Sequence, residues 1–231
     1  MVSDKGYRGV IIQLYRNFSN ISVEGNEICA SSGALLSQIA AAARNASLTG
    51  FEFAGGIPGT LGGAVFMNAG AYGGELKDVL KEAVVMTEQG EILTLPVEKL
   101  DMGYRTSRIK KAGYLVLEAR LVLEQGDMDK IRDITKDLTE KRVSKQPLEY
   151  PSAGSVFKRP VGYFAGTMIE QCGLKGKTVG GAMVSPKHAG FIVNTGDATC
   201  QDVLDLISLI QTTVKEQTGI MLECEIRAIG G

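Results

Sequence analysis

The stretch Gly50–Gly74, GFEFAGGIPGTLGGAVFMNAGAYGG, holds nine glycines. Glycine loses more backbone freedom on folding than any other residue, so this density marks tight turns or backbone brought close to another surface. Pro58 fixes one turn, while Gly62, Gly63, Gly70, Gly73 and Gly74 permit geometries that a side chain forbids. Successive backbone N–H groups opened in this way can cradle a pyrophosphate. The spacing is neither G-x-G-x-x-G nor G-x-x-x-x-G-K-[ST]. On spacing alone, a phosphate or cofactor cradle and a tightly turned loop in a compact α+β domain stand equally open.

Working outward, the segments on both sides read as mixed helix and sheet. Before the glycines, Val10–Leu14 (VIIQL) is a β-branched run expected to be a strand, Glu27–Ala30 is a weaker candidate, and ALLSQIAAAARNA at Ala34–Ala46 has helical spacing. After them, Glu82–Thr87, Glu91–Leu95 and Tyr114–Leu123 read as strands. From Asp127 the pattern becomes a charged helix with Ile131, Ile134 and Leu138 on one face, ending near Ser144 because Gln146-Pro147 disfavours continuation. A short helix at Ala165–Cys172, a strand at Gly190–Val193 and a long helix at Thr199–Gln217 follow. Thr199-x-x-Asp202 resembles a capping box, and the final MLECEIRAI alternates like a strand. The expected fold class is α+β in two units, residues 1–126 and 127–231.

Composition narrows the function. Lys+Arg 25 against Asp+Glu 26 leaves a net charge of -1, which gives no sequence-wide field to attract nucleic acid or an anionic membrane. Cys29, Cys172, Cys200 and Cys224 are scattered without paired ligand spacing, and His188 is the single histidine, so neither a zinc site nor a disulfide framework is expected. The start MVSDKGYRG is unlike a signal peptide, and no apolar run approaches the roughly 18 residues of a spanning helix. The expected compartment is the cytoplasm.

Ala54–Glu75, AGGIPGTLGGAVFMNAGAYGGE, resembles the flavin-binding loop of the UDP-N-acetylenolpyruvoylglucosamine reductases. GYRTSRIK (Gly103–Lys110), PSAGSVFKRP (Pro151–Pro160), KHAGFIVN (Lys187–Asn194) and LECEIRAIG (Leu222–Gly230) match in the same order, so the resemblance spans essentially the whole chain. It implies an FAD-binding domain at 1–126 and a substrate domain at 127–231. It further implies that NADPH reduces FAD, and that the flavin passes hydride to the enolpyruvyl ether of a UDP-sugar to give UDP-N-acetylmuramate for peptidoglycan. Members of the family carry a further α+β subdomain, with a G-S-N turn on the flavin pyrophosphate, just upstream of the segment matching Val2–Gly6. Met1 stands in its place here, so the expectation is an N-terminally truncated flavin domain with weakened FAD binding. A non-catalytic fragment that binds the UDP-sugar is the alternative. The lack of a tyrosine-bearing insertion between Leu123 and Ser155 places the chain in the shorter branch of the family.

The resemblance also assigns residues. Arg105 matches the arginine that holds the substrate carboxylate, a task suited to a guanidinium fork. Glu225 matches the catalytic glutamate and Ser155 the serine that acts as general acid. Cofactor contacts are expected from Gly55, Gly56, Ile57, Pro58, Gly59 and Thr60, from Gly62 and Gly63, and from Asn68, Gly70, Ala71 and Tyr72. Tyr104, Lys145, Lys158 and Arg159 are expected at the substrate, with Lys145 and Arg159 suited to the UDP diphosphate. Without the resemblance, Arg105 reads as a solvated loop arginine, Glu225 as the outward face of a terminal strand, Ser155 as a turn serine and His188 as a structural hydrogen-bonding residue.

Overall fold

The computed structural model describes residues 1–231 in full. The chain forms two compact units: Ile12–Arg142, and Met1–Ile11 together with Val143–Gly231. The division falls within a helix rather than at the expected 126/127, and the first eleven residues group with the C-terminal segment.

The first unit contains β1 (Ile21–Glu24), β2 (Glu27–Ser31), α1 (Leu36–Asn45), β3 (Leu48–Thr49), α2 (Leu61–Met67), β4 (Gly70–Ala71), β5 (Gly74–Glu75), β6 (Leu80–Met86), β7 (Ile92–Pro96), α3 (Arg108–Ala112), β8 (Leu115–Val122), β9 (Glu124–Gln125) and most of α4 (Met128–Lys145). Its main sheet has the order β1-β2-β8-β6-β7, with antiparallel neighbours throughout. Alternation puts Ile28 and Ala30 of β2, Ala83 and Val85 of β6, and Ala119 and Leu121 of β8 into one buried face. The register aligns Ala30, Ala119 and Ala83 across three strands. That row of small side chains lets α2 lie close on β8 with Leu61, Ala64 and Val65 buried.

The glycine segment therefore contains a helix that sequence reading took as turns. Gly62 sits inside α2 because a Cβ there would come within 2.8 Å of the Ser32 side chain, and its N–H donates to the Ser32 carbonyl at 2.8 Å. Packing on the sheet outweighs the roughly 1 kcal/mol cost of each helical glycine.

The second unit contains β10 (Ser152–Ser155), α5 (Ala165–Gln171), β11 (Thr178–Val179), β12 (Ala182–Val184), β13 (Phe191–Asn194) and α6 (Cys200–Thr218). The sheet order is β10-β13-β12-β11, antiparallel. Ile169 of α5 and Leu206, Ile210 and Val214 of α6 close its core with Val184, Ile192 and Leu222. At the start of α6 the Thr199 hydroxyl accepts from the Asp202 N–H at 3.0 Å and the Asp202 carboxylate accepts from the Thr199 N–H at 2.9 Å. This is the expected capping box. The Asp4 carboxylate accepts from Cys200 and Gln201 N–H at 2.8 and 3.3 Å, adding an anion where the helix dipole is positive.

Two expected strands are not formed. Val10–Leu14 is irregular, with Val10 84% and Ile12 81% exposed, because β-branched residues favour extended backbone but no neighbouring strand supplies hydrogen bonds. The terminal MLECEIRAI makes only isolated bridges, Phe157 with Cys224 and Val2 with Ile229. No helix is long and apolar enough to cross a membrane.

Candidate functional site

In the first unit the glycine-rich segment and the Arg105 loop are built into one another. Asn68 ends α2 in the left-handed conformation at φ 45° and is fully buried. Its Nδ2 donates to Glu75 Oε2 at 3.0 Å and to the Gly103 carbonyl at 3.1 Å, and its Oδ1 accepts from the Lys77 N–H at 3.0 Å. The Lys77 ammonium, 2.8 Å from Glu75, and after it the Asn68 amide hold the Glu75 carboxyl below its ordinary 4.5, against the opposing effect of burial. β4 and β5 turn through Tyr72 and Gly73 at φ 53° and 91°, a two-residue hairpin with both central residues left-handed. Gly103 and Thr106 close a second tight turn by mutual N–H to carbonyl bonds of 3.0 and 3.2 Å.

Arg105 sits on that second turn at φ 53°. Its Nη2 donates to the Gly70 carbonyl at 3.4 Å, its guanidinium carbon lies 5.1 Å from the Tyr104 ring centre, and its carbonyl accepts from Lys110 Nζ at 3.0 Å. The Ser107 hydroxyl, fully buried, donates to the Phe66 carbonyl at 2.7 Å and so ties the loop to the end of α2. Asn68, Tyr72 and Arg105 all carry positive φ without being glycine, and such strain gathers where function fixes the backbone.

A dinucleotide cofactor needs amide donors and close backbone approach for its pyrophosphate. The N–H groups of Gly56, Gly59 and Thr60 donate to no acceptor within the chain, and a Cβ at Gly59 or Gly63 would meet nothing within 4 Å. The Ser32 hydroxyl, buried beside Gly62, also lacks a partner. These residues fit an FAD cradle. Asn68 differs from the other expected cofactor contacts, since its side chain is consumed inside the protein.

In the second unit the backbone that leaves Ser155 runs beside the segment that carries Glu225. Glu225 donates its N–H to the Val156 carbonyl at 2.8 Å, Lys158 donates its N–H to the Glu223 carbonyl at 2.8 Å, and the Lys158 ammonium pairs with the Glu223 carboxylate. Ser155 ends β10 opposite Phe191, with its hydroxyl 3.5 Å from the Phe157 carbonyl. Arg159 places its guanidinium 3.9 Å from the centre of the Phe164 ring, and Lys145 closes α4, exposed. His188 Nδ1 accepts from the Gly190 N–H at 3.1 Å, and its ring meets Phe191 edge-on at 5.0 Å. Burial, chiefly, lowers its pKa from 6.5.

The structure thus sorts the expected residues into two groups. Arg105, Tyr104 and the glycine segment share the first unit; Ser155, Glu225, Lys158, Arg159 and Lys145 share the second. Sequence reading missed Glu75, Gly103 and Ser107. Ser107 carried a legible signal, a serine directly before Arg108-Ile109, and it caps α3 by accepting the Lys110 N–H at 3.3 Å.

An α+β scaffold presenting unengaged amides from a glycine-rich segment suits a phosphate-bearing cofactor, and residues 1–96 match the FAD binding domain family, which makes this a flavin-nucleotide-binding protein. Residues 146–229 match the family described as UDP-N-acetylenolpyruvoylglucosamine reductase, C-terminal domain. Proteins named UDP-N-acetylenolpyruvoylglucosamine reductase from Alkaliphilus oremlandii and Clostridium botulinum are 56% and 57% identical over 230 residues, covering 100% of this chain and 76% and 75% of those proteins. The crystal structure of the Thermus caldophilus reductase superposes with a TM-score of 0.81 at 35% identity over 92% of this chain and 75% of that one. The chain belongs to the UDP-N-acetylenolpyruvoylglucosamine reductase family, and it spans about three quarters of the length of these relatives.

Proposed function

We propose that this chain carries out the reductase chemistry of its family: reduction of the enolpyruvyl group of UDP-N-acetylglucosamine enolpyruvate to UDP-N-acetylmuramate with NADPH, in cytoplasmic peptidoglycan precursor synthesis. The glycine segment would hold FAD through Gly55–Thr60, Gly62, Gly63, Gly70, Ala71 and Tyr72, and the bound flavin would supply the hydride chemistry that links NADPH to the enolpyruvyl double bond.

Arg105 holds the substrate carboxylate with its planar fork and stays charged as negative charge builds there. Its backbone strain and its bond to the Gly70 carbonyl fix the guanidinium before substrate arrives. Glu225 takes the role of the family's catalytic glutamate in polarising the substrate. Ser155 gives its proton to the carbon beside the carboxylate, a step that a serine performs only where neighbouring groups stabilise its alkoxide. Lys158 follows Ser155 by three residues, beyond the end of β10, and Tyr104 lines the Arg105 loop; both contact the substrate. Lys145 and Arg159 meet the UDP diphosphate.

The observation that carries this reading is the Val156–Glu225 pairing, which sets the proposed acid and the proposed glutamate on adjoining backbone. Anaerobic mixing of FAD-loaded protein with NADPH, then with the enolpyruvyl substrate, tests it. Flavin absorbance should bleach and then return. Bleaching without return on adding substrate would eliminate the reading.

A further inference from the structure

We infer that Asn68 is a positioning residue for Arg105 rather than a ligand of the cofactor. The inference rests on the reductase reading, which gives Arg105 its task.

Both donor hydrogens of the Asn68 side chain are spent, and its oxygen is already bonded. One amide hydrogen goes to Glu75 and one to the Gly103 carbonyl, while the oxygen takes the Lys77 N–H; the residue is fully buried. A neutral amide offers two donor hydrogens, so neither remains for a bound molecule. The partners lie on two different segments: Glu75 pairs with Gly70 in the β4–β5 hairpin and Lys77 follows it, while Gly103 opens the turn that carries Arg105. Asn68 therefore ties the hairpin that carries the Gly70 carbonyl to the turn that carries Arg105, whose Nη2 makes the 3.4 Å contact with that carbonyl. Glu75 completes the arrangement as acceptor for one Asn68 hydrogen and partner of the Lys77 ammonium. Aspartate cannot substitute, because it has no hydrogen to donate and would set a second carboxylate beside Glu75. Glycine keeps the left-handed backbone without strain and removes only the side-chain bonds.

The test compares Asn68→Gly with the unaltered full chain in three measurements. Hydrogen exchange of the Thr106 N–H, bonded to Gly103 at 3.2 Å, needs neither cofactor nor activity. It should accelerate at least tenfold in the variant. FAD affinity should stay within about threefold. In FAD-loaded protein, reoxidation by the enolpyruvyl substrate should slow at least tenfold while reduction by NADPH stays within about twofold. Combining Asn68→Gly with Arg105→Lys should add little beyond Arg105→Lys alone, because residues acting through one group do not contribute independently. Unchanged Thr106 exchange would overturn the inference, as would a tenfold loss of FAD affinity with normal reoxidation. Loss of reoxidation in the unaltered chain would instead remove the reductase reading and leave the exchange result to judge the Asn68 contacts. If Asn68→Gly does not fold, the pair Asn68→Asp and Asn68→Asp with Glu75→Gln replaces it. The glutamine amide can donate to the new aspartate and removes the like charge beside it, so the double variant should be the more stable of the two, while Thr106 exchange stays fast in both because neither can donate to the Gly103 carbonyl. A double variant no better than the single one would also overturn the inference.

Discussion

Glu225 donates its backbone N–H to the carbonyl of Val156 at 2.8 Å, so the residue that follows Ser155 is hydrogen-bonded to the proposed catalytic glutamate itself. Positions 155 and 225 are far apart in sequence and meet only because the C-terminal segment runs beside the chain that leaves β10, with Phe157 and Cys224 bridged. The proposed proton donor and the proposed carboxylate-polarising group thus share one backbone frame.

Removal of the Ser155 hydroxyl separates the two half-reactions. Ser155→Ala should leave flavin reduction by NADPH within about twofold and slow reoxidation by the enolpyruvyl substrate by about 10²-fold or more, the usual contribution of a placed general acid. Stopped-flow flavin absorbance measures both; equal losses in the two steps would take the acid role from Ser155.

At Arg105, charge and geometry can be tested apart. Arg105→Lys keeps the charge but loses the planar fork and the reach to the Gly70 carbonyl, so the barrier to reoxidation should rise by about 2 kcal/mol or more. Steady-state turnover near that of the parent would reduce Arg105 to a diffuse electrostatic presence.

The capping box of α6 gives a stability prediction independent of catalysis. Thr199→Ala removes the acceptor for the Asp202 N–H and should cost about 1 kcal/mol. The midpoint of urea unfolding should fall with an unchanged slope. Asp202 also accepts from the Gly181 N–H at 3.2 Å, so Asp202→Ala should be the more damaging change. The backbone N–H groups of Thr199 and then Gly181 hold the Asp202 carboxyl below its ordinary 3.8. Its stabilising contribution is therefore complete above pH 3.8 and is lost as pH falls through the lower folded-state value.

His188 provides a second pH dependence, in a different window. Burial, first among the causes, lowers its folded-state pKa below 6.5, and its Nδ1 must stay unprotonated to accept the Gly190 N–H. The unfolded chain takes up the proton first as pH drops through 6.5, so stability declines from there until the folded-state value is reached, then levels off. As the single histidine, its ring resonances report the titration directly by NMR. A folded-state pKa at or above 6.5 would contradict the structure.

Much of the fold was legible because its signals are local. The α6 capping box needs only residues 199 to 202, and the alternation of β8 is visible within Leu115–Val122. What depends on distant partners was not legible. Val10–Leu14 has strand propensity, but propensity cannot supply a neighbouring strand. The α2 helix was hidden by Gly62 and Gly63, and the place of Gly62 in it follows from contact with Ser32, thirty residues earlier in the chain. The site shows the same division. Arg105, Ser155 and Glu225 were found through motif resemblance, whereas the Asn68 network joins residues 7, 9 and 35 positions away and leaves no sequence pattern.

Reduction of an enolpyruvyl UDP-sugar by this chain through bound flavin can be followed in a single-turnover experiment. FAD-loaded protein is reduced with one equivalent of NADPH without oxygen, mixed with UDP-N-acetylglucosamine enolpyruvate in deuterium oxide, and the product analysed by mass spectrometry and NMR. Flavin absorbance should return as UDP-N-acetylmuramate forms, with one solvent deuterium on the carbon beside the carboxylate, where Ser155 protonates it. Reduced flavin that persists with the substrate unchanged, or product without deuterium at that carbon, would rule out this chemistry.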